Sequence, residues 1–226
     1  MPQKMHMTTL KKCPCFITFE GGEGAGKTTL IQQVEADLKQ LGYDVVSTRE
    51  PGGSSLGNTI RQWLLQQNTK TSISIKAELL LFLAARAQHI EELILPSLTK
   101  GKIVLCDRFN DSTIAYQGVA RGLGLEAVQN LCKFVCGNVV PDLTIYLDID
   151  PHVGLTRTRH AAKEDAPMGS IDRIESEKLE FHEHVRQGFF KLIHQNPSRY
   201  HVIDASMSPE LVLRDARATI DRLLSL

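Results

Sequence analysis

No surplus of charge of either sign marks this chain: its 226 residues carry 26 Lys and Arg against 26 Asp and Glu. Nucleic acid or an anionic membrane needs a clustered basic excess, so bulk binding to either is not expected. Small anionic substrates are not excluded, because a few placed cations hold them. No apolar run reaches the roughly 20 residues of a membrane span. The stretch Met1 to Lys12 also lacks the apolar segment of a secretory signal. Met5 and Met7 leave the true start open. Internal repeats and a dividing linker are missing too, so the length fits one compact domain around a single core. Cysteine is scarce and odd in number, at five. Cys106 in a strand-like run, and Cys132 and Cys136 in a helical one, read as reduced core thiols. Cys13-Pro-Cys15 has no partners at metal-ligand spacing. A reducing, cytoplasmic compartment is the expectation.

What is present alternates strand and helix signals, which argues for an α/β fold with a mainly parallel sheet. Cys15 to Phe19, Val45 to Thr48, Ile103 to Cys106, Leu143 to Leu147 and Tyr200 to Ile203 read as five strands. Leu30, Ile31, Val34, Leu38 and Leu41 recur at helical spacing, with Gly42 as the stop. Lys76 to Leu95 reads as a long buried helix halted by Pro96, and Glu177 to His194 and Pro209 to Leu224 as two more. Asp150-Pro151 looks like a cap and first turn; Asp148 and Asp150 read as cap and turn residues. His160 to Ile171, rich in Ala, Gly, Pro and charge, reads as an irregular flap between helices.

Gly21-Gly22-Glu23-Gly24-Ala25-Gly26-Lys27-Thr28 fits the spacing G-x-x-x-x-G-K-[ST], with a strand before it and an amphipathic helix after it. Glycines let the backbone turn its N–H groups around phosphates, and the helix N-terminus adds positive potential. Lys27 is placed to reach the β- and γ-phosphates, and the Thr28 hydroxyl to ligate a bridging Mg²⁺. Asp107 follows a buried run, where strand ends form a ligand crevice; it suits a Mg²⁺-bound water or the Thr28 hydroxyl. Arg108 beside it suits a phosphate. Phe82 and Arg86 stand i, i+4 on one helix face, a sensible base pocket. Arg49 suits either a phosphate contact or a turn anchor, and Glu50-Pro-Gly-Gly53 reads as a loop.

These residues together carry a family likeness. Phe19-Glu-Gly-Gly-Glu-Gly-Ala-Gly-Lys-Thr-Thr29, Arg49-Glu-Pro-Gly-Gly53, Glu78-Leu-Leu-Leu-Phe-Leu-Ala-Ala-Arg86, Asp107-Arg-Phe with Ser112 and Ala115-Tyr-Gln-Gly118, and Asp172-Arg-Ile-Glu175 resemble the motifs of bacterial thymidylate kinases, in order, from about Phe16 to Leu224. The resemblance implies a P-loop NTPase-type three-layer sandwich, with a five-stranded parallel sheet and helices on both faces. It implies transfer of the ATP γ-phosphoryl to dTMP, giving dTDP and ADP on the way to dTTP, with Mg²⁺ and a homodimer. A kinase for another nucleoside monophosphate is the alternative, and a non-kinase P-loop ATPase a remoter one. The expected layout is an N-terminal extension over 1–14 and one kinase domain over 15–226, with the flap at about 157–173.

Residue by residue, the likeness implies an ATP cradle from Gly21 to Thr29. Glu23 stands where a carboxylate contacts the deoxyribose 3′-OH and the water shell of Mg²⁺. Phe82 stands where a ring stacks on thymine, Arg86 where a guanidinium meets a thymine carbonyl, and Arg108 where the dTMP phosphate is held. Thr113 stands beside the base, Tyr116 beside the sugar and Gln117 near base or phosphate. Phe109 replaces a frequent Tyr or His, Ser54 a usual Thr, and the flap is long. Between Gly21 and Gly26 there is no Lys or Arg. Transition-state charge is then left to the flap arginines Arg157, Arg159 and Arg173.

Overall fold

A computed structural model describes residues 13–66, 72–164 and 172–225. Five strands, β1 (Cys15–Gly21), β2 (Val45–Arg49), β3 (Ile103–Asp107), β4 (Leu143–Asp148) and β5 (Tyr200–Asp204), pair in parallel in the order β2-β3-β1-β4-β5. Every expected strand is there, each running one or two residues further at its carboxyl end. The helices are α1 (Lys27–Gln40), α2 (Ser55–Leu65), α3 (Ile75–His89), α4 (Leu95–Thr99), α5 (Asn110–Thr113), α6 (Leu125–Cys136), α7 (Pro151–Glu164), α8 (Leu179–Gln195) and α9 (Pro209–Leu224).

The two-residue alternation of the strands sorts side chains into two cores. Ile17 and Phe19 of β1, with Leu105, Ile145 and Ile203, meet Leu30 and Val34 of α1 and Val212 and Ala216 of α9. On the opposite face Phe16, Val104 and Cys106 meet Ile90, Ile94 and Phe109, while Tyr146 packs with Val185 and Phe189 of α8. β1, β3 and β4 are covered on both sides, which is why they read as near-continuous apolar runs. β1 lies between β3 and β4, where the strand order reverses, so a crevice opens at their carboxyl ends.

Three expectations are corrected. Pro96 does not halt the long helix. A wide turn over Ile90–Ile94, in which the Leu95 N–H donates to the Ile90 carbonyl, lets Pro96 stand in the first turn of α4, where its missing N–H is not needed. The irregular stretch does not begin at His160, because α7 continues to Glu164; residues 165–171 of the flap lie outside the described residues. Asp148 is not a cap: both its oxygens take Arg186, at 2.7 Å each. Asp150 is one, accepting the His152 N–H at 2.9 Å. Of the expected 1–14 extension, residues 1–12 are outside the described residues, and the Cys13 N–H donates to the Gly101 carbonyl at 3.0 Å.

Candidate active site

The cradle is shaped by backbone that only glycine adopts readily. Gly24 and Gly26 have φ of 68° and 87°. Gly24 also lies against the first turn of α7: a Cβ there would stand 2.7 Å from the Gly154 carbonyl carbon and 2.9 Å from its Cα. Helix α1 starts at Gly26 with no side-chain cap, so its first-turn N–H groups remain for an anion. The Lys27 ammonium is buried and donates to the Gly21 and Gly22 carbonyls at 3.1 and 2.9 Å. Burial, then the Arg108 cation, push its pKa down. The Thr28 hydroxyl donates to Asp107 Oδ2 at 3.1 Å, joining the start of α1 to the end of β3.

From this cradle a cleft of about 340 Å³ runs towards α3 and the turn Ile114–Ala120. Glu23 to Thr29, Phe82, Arg86, Asp107, Arg108, Thr113, Tyr116 and Gln117 all line it. At the junction, Arg108 donates to Glu23 Oε1 at 2.7 Å and to the Gly21 carbonyl at 3.0 Å. The Tyr116 hydroxyl donates to the same Glu23 oxygen at 2.8 Å. Burial pushes the Glu23 carboxyl up, but Arg108, Lys27 and Tyr116 outweigh it and hold it at about 2. Arg108 is left-handed, with φ 67°, a conformation that costs a non-glycine residue about 1–3 kcal/mol. Deeper in, Arg86 is almost wholly buried and donates through Nε to Glu50 at 2.7 Å and through Nη2 to Thr113 Oγ1 at 2.9 Å. Glu50 is shared with buried His89, 2.9 Å away. Gln117 donates to buried Glu78 at 2.9 Å.

Several expected site residues are not brought into the cleft. Arg49 is exposed and does not line it. Arg157 is exposed and donates to the Ala205 carbonyl at 2.9 Å, and Arg159 is exposed one residue beyond Thr158, which does line the cleft. Arg173 pairs with Glu78 and donates through Nε to the Leu64 carbonyl at 3.0 Å, so it faces α2 and α3 rather than the cradle. Conversely, Glu50, Arg61, Ser112, Asp172 and Glu175 line the cleft although sequence reasoning gave them no role. Four of these sit in the quoted motifs, which was the signal available. Arg61 has none: it lies on α2, donating to the Pro51 carbonyl at 3.0 Å. Burial and the Arg49 and Arg108 cations push its pKa down. Burial, Asp172 and Glu23 push Glu175 up to about 7.

A family model described as thymidylate kinase matches residues 19–216. The chain belongs to the thymidylate kinase family. It is 57% identical over 201 residues to the thymidylate kinase of Protochlamydia amoebophila, covering 89% of each chain. It is 46% identical to that of Bacillus velezensis, covering 92% of this chain and 96% of the relative. The crystal structure of thymidylate kinase from Ehrlichia chaffeensis superposes with a TM-score of 0.72 at 34% identity, over 92% of this chain and 98% of that one. The family's three-layer α/β sandwich, with its all-parallel five-stranded sheet, is the architecture described above.

Proposed function

We propose that the chain transfers the γ-phosphoryl of ATP to dTMP, giving dTDP and ADP. The observation that carries this is one continuous cleft with a triphosphate cradle at one end and, at the other, Phe82 beside a buried, oriented Arg86. Phosphoryl transfer is mostly positioning and electrostatics. Lys27 and the N-terminus of α1 hold the donor phosphates. Phe82 stacks on thymine. Glu50 and Thr113 fix the Arg86 fork so that its remaining N–H groups meet a thymine carbonyl. Glu23 takes the 3′-OH, Tyr116 borders the sugar, and Gln117 borders the base. Arg108, joined by Arg61, grips the acceptor phosphate. Arg157 and Arg159 on α7 supply charge at the transferring group only by turning in from outside the cleft, Arg157 by leaving the Ala205 carbonyl; Arg173 reaches it only by leaving Glu78.

Thr28 and Asp107 offer hard oxygens 3.1 Å apart at the cradle's mouth, which suits Mg²⁺ held largely by nucleotide phosphates and water. Such an ion would neutralise phosphate charge. Among the described residues no cluster of three or more His, Cys, Asp or Glu forms a separate metal site. A homodimer is supported by α3 and α6, which pack together and both show apolar side chains to solvent: Leu80 is 60% exposed and Phe134 85%. Phe134→Asp should then yield a monomer in sedimentation. A cytoplasmic setting is supported by five free thiols, four of them buried.

The deciding experiment follows ADP release with ATP, Mg²⁺ and each nucleoside monophosphate in turn. dTMP should be the best acceptor. A better purine or cytosine monophosphate would overturn the acceptor assignment, and ADP release without any acceptor would point to an ATPase.

A further inference from the structure

Glu20 on β1 has no part in the reading above, yet it is fully buried and bonded to the turn that carries Arg108. Its carboxylate is the hub of the turn that follows β3. Oε1 accepts the Phe109 N–H at 2.8 Å and the Ser112 N–H at 3.3 Å, and Oε2 accepts the Ser112 hydroxyl at 2.5 Å. The adjoining Arg108 N–H donates to the Phe19 carbonyl at 3.0 Å. Consecutive residues of β1 thus pin consecutive residues of the turn, on either side of the left-handed Arg108 backbone. Ser112 continues the chain of contacts, lying 3.3 Å from Arg108 Nη1. A strained conformation persists only where its surroundings over-determine it, and Glu20 holds from below the residues that follow Arg108 in the turn. We propose that Glu20 is a positioning residue which holds Arg108 in its left-handed conformation and so aims the guanidinium at the acceptor's phosphate. The inference rests on the assignment of Arg108 to that phosphate.

An ordinary packing role for a buried carboxylate would weaken the whole cleft. A positioning role acts only on ligands that carry the phosphate. The test therefore compares calorimetric binding of dTMP with that of thymidine, which lacks the phosphate, in the full-length protein and its variants. Glu20→Gln keeps one oxygen for the Phe109 N–H but presents an amide NH₂ to the Ser112 oxygen, which reverses that bond and removes the carboxylate's charge. At pH 8, where the carboxylate is ionised, it should weaken dTMP binding roughly tenfold, the scale of one hydrogen bond to a charged group, and leave thymidine binding unchanged. Ser112→Ala, which removes the other end of that bond, should give the same selective loss, and covers the case in which Glu20→Gln does not fold. The double variant Glu20→Gln/Arg108→Ala should bind dTMP no more weakly than Arg108→Ala alone, because both changes remove one interaction. Equal losses for dTMP and thymidine, no loss for either, or additive losses in the double variant would overturn the proposal. If Arg108→Ala itself left the dTMP-to-thymidine ratio unchanged, the Arg108 assignment would fall and this inference with it.

Discussion

Gly154→Ala sets two physical effects against each other at a position that belongs to no motif. Gly154 lies in the first turns of α7, where exchange of glycine for alanine stabilises an unconstrained helix by about 0.5–1 kcal/mol. Its neighbour, however, is the backbone of the cradle. A methyl on Gly154 would overlap the Glu23 carbonyl oxygen and stand 3.3 Å from its carbon. A methyl on Gly24 would in turn stand 2.7 and 2.9 Å from Gly154 carbons, against the ~3.5–4.0 Å of carbons in comfortable contact. For the Gly154 methyl the overlap, with the Glu23 carbonyl oxygen, is about 1 Å, and the obstacle is backbone rather than the end of a flexible side chain. Overpacking of this kind costs about 1–3 kcal/mol, so the net effect should be destabilising despite the gain in helix propensity. A cradle displaced by about 1 Å should lose on the order of 10²-fold in kcat/KM. Thermal melts and initial rates with varied ATP measure both. A variant that melts higher than the parent and turns over ATP normally would refute the close approach and, with it, the coupling of α7 to the cradle.

Three further outcomes are expected. Arg86→Lys keeps a cation beside Glu50 but removes the planar fork, so the dTMP-to-dCMP ratio of kcat/KM should shrink tenfold or more, since an unpaired buried donor costs about 1–3 kcal/mol; an unchanged ratio would take base reading away from Arg86. Arg173→Ala should lower the melting temperature by a few degrees, at roughly 2–4 °C per kcal/mol, because Glu78 loses one of its partners; a 10³-fold fall in kcat at constant melting temperature would instead place Arg173 at the transferring phosphoryl group. Burial, with Asp111 nearby, raises the Glu20 carboxyl from 4.5 to about 7, against Ser112 and Arg108. The folded chain thus keeps a proton that the unfolded chain releases, and this stabilising contribution is full below pH 4.5 and lost as pH rises through about 7. The melting-temperature difference between the parent and Glu20→Gln should therefore decline from pH 5 to pH 8, and a flat or rising difference contradicts it.

The strands were legible because burial on both faces leaves an unmistakable apolar run, as in Ile103–Cys106, and the cradle because its glycines and Lys27 have few other uses. Helix α2 was not legible. Its buried positions Gly57, Ile60 and Leu64 include a glycine, while Leu56 and Trp63 face solvent, so the helical period is blurred and Arg61 went unseen with it. Pro96 misled because a wide turn has no signature in composition. Arg173 was placed at the phosphates by its position beside the flap. What draws it away is Glu78, 95 residues earlier in the chain, and pairings at that separation leave no local trace. Glu20 was read as part of a motif rather than as a group with its own work. Its partners lie 89 and 92 residues downstream and become visible only once β1 and β3 stand side by side.

The buried thiols make the molecule a chemical clock for its own opening. Burial lifts Cys15 and Cys136 to about 12 and Cys106 and Cys132 upward as well. At pH 8 a thiol titrating near 12 is ionised in only on the order of 10⁻⁴ of molecules, and the thiolate is the species that alkylates. Slow labelling of these residues therefore counts excursions in which the sheet or α6 separates from its neighbours. Cys132, whose sulfur lies 3.8 Å from Arg86, reports the wall of the base pocket, while Cys15 reports the far end of the same strand that carries the cradle. The ratio of their labelling rates distinguishes local loosening of the acceptor side from unfolding of the whole chain, with no probe added to the sequence.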